Sequence, residues 1–116
     1  MLDLPSIHDA DGYWMPVFEA CNETGTVLCI HIGSSSSVAK TSPDAPGAVS
    51  LTITNFNSQL CMADWIYSGL LARFPNLKLA FSESQIGWMP YLLDRADRDA
   101  ANVHQAWAAF LRWLRL

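Results

Sequence analysis

Two side chains combine the right chemistry with the right position to hold a metal ion or move a proton. His31 closes the apolar run TVLCIHI, and Glu83 closes LKLAFSE. A neutral imidazole is a good zinc ligand, and a carboxylate adds a hard oxygen. If the two runs are strands paired in parallel, both residues emerge at one C-terminal edge, on backbones ~4.8 Å apart. That crevice is where α/β sheets and barrels hold their ligands. By strand alternation His31 lies on the side of Val27 and Cys29, opposite Leu28, Ile30 and Ile32. Glu83 falls on the side of Leu77, Leu79 and Phe81. A His beside a Glu is also an ordinary hydrogen-bonded pair, and two ligands fall short of the three or four that a metal site takes.

The other candidates are weaker. His8 precedes Asp9 in a polar N-terminal segment and reaches the same edge only if that segment closes a strand-to-helix loop; otherwise it is an exposed loop histidine. His104 lies among Ala and Val in the last helix and receives no role. Ser34 to Ser37 follow Gly33 without the G-x-S-x-G elbow of a serine nucleophile. As loop, they could offer hydroxyls and amides to an anionic substrate, with Ser34 nearest the strand. Lys40 is the loop's one cation, suited to a carboxylate or simply to solvent. Trp88 opens the last helix and either lines a pocket or packs the helix.

The elements that must position these residues follow from pattern. Trp14, Val17, Phe18 and Cys21 share one face of a helix over Tyr13–Glu23, with Asp11 as a cap, Pro16 in the first turn and Gly25 as its end. Thr26–Ile32 reads as a strand buried on both faces. About fifteen residues from Gly33 to Gly47 lack any period, which marks a functional or disordered loop. A helical region over Ala48–Ala72 keeps Val49, Ile53, Phe56, Leu60, Ala63 and Ile66 or Tyr67 at helical spacing, with a break at Gly69. Phe74-Pro75-Asn76 ends it. Leu77–Phe81 is a second strand ending at Ser82-Glu83, and a last helix starts near Trp88, with Asp94, Arg95, Asp97, Arg98 and Asp99 on its exposed face. Two strands joined by a helical crossover form a right-handed parallel βαβ unit, hence the α/β class. Two strands leave both outer edges open, a liability that whole proteins cover.

Composition narrows the function. The 116 residues suffice for one domain but not for the ~250 of a full (β/α)₈ barrel. At 51% hydrophobic the chain can fold, and a net charge of −4 without a basic stripe excludes nucleic acid as an expected partner. No apolar run approaches the ~18 residues of a membrane span, and the acidic N-terminus does not read as a secretory signal. Cys21, Cys29 and Cys61, an odd number without a C-x-x-C pair, fit buried thiols in a reducing cytoplasm.

The segments LPSIHDADGYWMPVFEACNETG, VLCIHIGSSSS, TSPDAPGAV and RFPNLKLAFSESQIGWMPYLLDRAD, in that order, resemble consecutive parts of the amidohydrolase-related family. These are metal-dependent (β/α)₈ TIM barrels that include aminocarboxymuconate-semialdehyde decarboxylase. The resemblance covers residues 4–97, the middle of such a barrel, and leaves 98–116 as a divergent helical tail of one partial domain. It implies that His31 is the metal-binding histidine ending the fifth strand. Glu83 stands where the decarboxylases place a second histidine, and Ser84-Gln85 replaces their glycine pair. The family's N-terminal His-x-His pair and late aspartate have no counterpart in this sequence.

The resemblance therefore implies part of a metal-dependent decarboxylase or hydrolase of a small carboxylated molecule. Glu83 would be catalytic, His31 a ligand of a divalent metal such as zinc, and Ser34 and Trp88 would contact substrate. The isolated chain is expected to be inactive. The alternative is a non-catalytic α/β interaction module that dimerises through apolar edges and the tail stripe of Val103, Trp107, Phe110, Leu111 and Leu114. A self-sufficient small protein should bury Trp65, Trp88, Trp107 and Trp113 within itself or in a symmetric homo-oligomer, a dimer, whereas a fragment should leave much of that surface exposed and aggregate.

Overall fold

The computed structural model describes residues 4–32 and 37–114, with side chains through residue 102. Strand β1 (Val27–His31) pairs in parallel with β2 (Lys78–Ser82). Leu28 lies opposite Leu79, Ile30 opposite Phe81 and His31 opposite Ser82. Paired residues share a face, so Leu28, Ile30, Leu79 and Phe81 point one way and Val27, Cys29 and His31 the other. No third strand flanks the pair among the described residues. The chain is α/β, as its pattern of elements predicts, but β1 is not buried on both faces. Val27 is 44% exposed, and exposure alternates along the strand because packing covers only the Leu28 side.

That packing comes from helices α1 (Met15–Thr24), α3 (Phe56–Tyr67) and α4 (Leu70–Arg73). Phe18, Cys21, Trp65, Leu70, Phe74 and Leu77 form the core, and Leu28 and Leu79 pack onto it. Phe18 meets Trp65 edge-on at 5.2 Å and Phe74 at 6.4 Å, within the range of favourable aromatic pairs. Pro16 stands in the first turn of α1, and Gly25 ends it at φ 69°, a conformation that a side chain would disfavour. Asp11 is not the cap: Trp14 occupies that position, and the Asp9 carboxylate accepts the Tyr13 N–H at 3.0 Å. Val17, expected on the buried face of α1, is 46% exposed, because Phe18 and Cys21 centre the packed stripe.

The crossover is three helices rather than one long helical region with a single break at Gly69. After α2 (Gly47–Thr52) the chain turns through residues 53–55 into α3, and Gly69, at φ 72°, separates α3 from α4. The stripe expected to pack is also displaced. Phe56, Leu60 and Tyr67 are half or more exposed, whereas Ser58, Cys61 and Trp65 face the core. Both stripes have helical spacing; Trp65 decides between them because it has the largest surface to bury. Asn22 Oδ1 accepts the Asn76 N–H at 2.9 Å and ties α1 to the turn before β2.

These elements form one compact unit, residues 1–85, and residues 86–116 form a second. In the second unit α5 (Met89–Leu114) carries Pro90 in its first turn and two i,i+4 ion pairs, Arg95–Asp99 at 3.1 Å and Arg98–Asp94 at 3.0 Å. Trp65 and Trp88 are buried. The side chains of His104, Trp107 and Trp113, and the rest of the tail stripe, lie outside the described residues. No described helix is long and apolar enough to cross a membrane.

Candidate functional site

His31 is the last residue of β1, and Glu83 follows β2 directly. By register the expected sides place them on opposite faces: His31 lies opposite Ser82, so the next residue of a regular strand would point away from it. The backbone at Glu83 corrects this. It leaves the strand at φ 56°, in the left-handed region, and Gln85 repeats the conformation at φ 57°. The pleat is broken there, and Glu83 Oε2 lies 3.6 Å from His31 Nε2.

His31 Nδ1 lies 2.7 Å from the Ile32 carbonyl oxygen. A carbonyl only accepts, so Nδ1 donates, and Nε2 is the ring nitrogen left facing Glu83. Metal-binding histidines are commonly fixed in this way, one ring N–H on a carbonyl and the other nitrogen on the ion. At 3.6 Å the pair is too long for a direct hydrogen bond. Two ligands ~2.0–2.2 Å from one zinc, at a tetrahedral angle, stand about 3.4 Å apart. Spacing and donor chemistry therefore fit a shared cation. Number does not, because no group of three or more His, Cys, Asp or Glu side chains suited to a metal occurs among the described residues. Both side chains are open to solvent, at 58% and 71% exposure.

His8 does not join this edge. Its Nε2 lies 3.1 Å from Asp64 Oδ1, near the far end of α3. Asp64 is six residues beyond Ser58, about 9 Å along a helix axis. Lys40 is exposed. Ser34 lies outside the described residues, so its expected role acquires no geometry. Trp88 belongs to the second unit. The far end of the serine loop is fastened, however: Asn57, in the first turn of α3, donates to the Ser37 carbonyl at 2.9 Å.

Sequence reasoning missed what holds the turn after β2. Ser84 is 1% exposed and Ser58 3%. Ser58 Oγ donates to Ser84 Oγ at 2.7 Å, and Ser84 Oγ donates to the Ser82 carbonyl at 3.1 Å. That carbonyl also receives the Ile32 N–H at 3.2 Å. No glycine stands at 83 or 85, so the sequence carried no signal for a left-handed turn there. Farther from the site, burial pushes the Cys61 thiol above its ordinary pKa, with Asp64 adding to the rise and a hydrogen bond with Trp65 opposing it.

A family model described as amidohydrolase matches residues 4–116. No curated protein matches the chain.

Proposed function

The chain belongs to the amidohydrolase family, whose members generally use divalent metals, and from that premise we propose that it supplies the mid-barrel portion of a metal-dependent (β/α)₈ enzyme. The complete enzyme is a hydrolase or decarboxylase of a small carboxylated molecule. One observation carries the reading: His31 Nε2 stands 3.6 Å from the Glu83 carboxylate, at the C-terminal edge of a parallel strand pair. That edge is where α/β enzymes gather their catalytic groups.

His31 is a metal ligand in this reading, and Glu83 either shares the ion or orients water beside it. When bound, the ion would polarise a water or a substrate oxygen. In this reading substrate-contact roles fall to Ser34 and, separately, to Trp88. Two ligands hold zinc weakly, since catalytic zinc sites use three protein ligands and structural sites four. In this reading the remaining ligands come from further strands, and the chain by itself is catalytically inactive. The open side of the sheet supports the same view. Val27 and Cys29 are exposed apolar residues on the His31 face, as expected of a barrel interior whose other strands are elsewhere.

Native mass spectrometry with a zinc titration tests this reading. The isolated chain should bind zinc weakly and lose that binding in His31→Ala. A dimer or larger assembly holding one metal per chain would mean that the missing ligands are supplied in trans. Zinc binding untouched by His31→Ala would overturn the metal assignment, and metal-dependent turnover by the monomer would overturn the inactivity. A stable metal-free dimer would favour the interaction module instead.

A further inference from the structure

We propose that Ser84 and Ser58 are positioning residues: their buried hydroxyl pair fixes the left-handed turn that swings the Glu83 carboxylate to His31. This deepens the reading of His31 and Glu83 as a site and rests on it only in taking Glu83 as the group that matters. Left-handed conformations of residues other than glycine persist only where the surroundings enforce them. Two such residues, Glu83 and Gln85, flank a single serine that is 1% exposed.

The enforcing contacts converge on the Ser82 carbonyl. The Ser58 hydroxyl donates to Ser84, Ser84 donates to the Ser82 carbonyl, and that carbonyl also holds the Ile32 N–H. The Ile32 carbonyl accepts from the His31 ring. These bonds tie the first turns of α3 to the ends of both strands. The two serines are buried, so breaking their contacts leaves polar atoms unpaired away from water, a costly outcome. A regular extended continuation of β2 would instead send the Glu83 side chain to the opposite face.

The test is a spectroscopic contact in the full chain, without metal. Carbon-edited NOE spectra should show a cross-peak between the His31 ring and the Glu83 γ-protons. It should vanish in Ser84→Ala and in Ser58→Val, and survive in Ser58→Thr, which has the shape of valine but keeps a hydroxyl. Ser68→Ala is the stability control. Its hydroxyl bonds the Trp65 carbonyl and the Leu70 N–H at the other end of α3, so the cross-peak should remain. A cross-peak that persists in Ser84→Ala overturns the proposal, as does one absent from the wild type. Loss in Ser68→Ala as well overturns it too, because the contact would then only follow stability. If Ser84→Ala does not fold, the Thr and Val variants of Ser58 decide alone. A failure here leaves zinc binding to be judged by its own titration, and failed zinc binding leaves the cross-peak untouched.

Discussion

The Leu28–Leu79 side of the sheet is packed against Phe18, Trp65 and Phe74, whereas on the other side Val27, Cys29 and His31 are exposed. The two sides belong to the same five-residue strands and differ only in the parity of position. Packing is concentrated on one side, and the candidate pair stands at the edge of the other. The exposed side has little to lose when a side chain is removed; the packed side has much. A barrel offers a physical reason for such a division, because its helices cover the outer face of the sheet while its inner face waits for the other strands.

The largest effect should come from paired truncations across the sheet. Trp65→Ala should cost ~3–5 kcal/mol, a large fraction of what a domain of this size has, because it empties the centre of the core. Val27→Ala, on a side chain already 44% exposed, should cost well under ~1 kcal/mol. Urea denaturation of the two variants checks this, and comparable losses would break the contrast.

The turn after β2 offers an effect of opposite sign. Glu83 and Gln85 each hold a conformation that costs on the order of 1–3 kcal/mol for a non-glycine residue, against ~0.5–1 kcal/mol of extra entropy lost by glycine. Gln85→Gly should therefore raise the denaturation midpoint. A lowered midpoint would mean that the turn is not strained.

His31→Ala should shift stability by no more than ~0.5 kcal/mol, since its side chain is largely exposed. A larger loss in denaturant titration would make His31 part of the fold rather than of a site.

The thiols give the smallest effect and the sharpest comparison. Cys29 lies exposed on the His31 side, Cys21 is buried and Cys61 lies between. Alkylation should modify Cys29 first, and its protection in an assembly would show that this face had become covered. The raised pKa of Cys61 makes its thiol contribute stability that is fully present below the ordinary thiol pKa. That contribution is lost as pH rises through the folded value, so Cys61→Ala should flatten the alkaline fall in stability seen by thermal melts.

Much of this was legible in the sequence. The apolar runs around Cys29 and Leu79, with a helical crossover between them, specify a parallel pair whatever the tertiary detail. Pro16 and Gly25 likewise mark the ends of α1 through local backbone preference alone. The types and strand-end positions of His31 and Glu83 marked them as a candidate pair, because covalent chemistry and strand direction are properties of the chain itself.

What only the tertiary structure decided was orientation. Periodicity offered two stripes on α3, and the competition to bury Trp65 selected Ser58, Cys61 and Trp65 over Phe56, Leu60 and Tyr67. Strand alternation, applied through the register, sets Glu83 on the face opposite His31; the left-handed turn, in contact with buried Ser58, brings it back to 3.6 Å. Composition and spacing describe each element by itself. Which side of an element is covered, and where a turn aims its side chain, depend on partners twenty or more residues away.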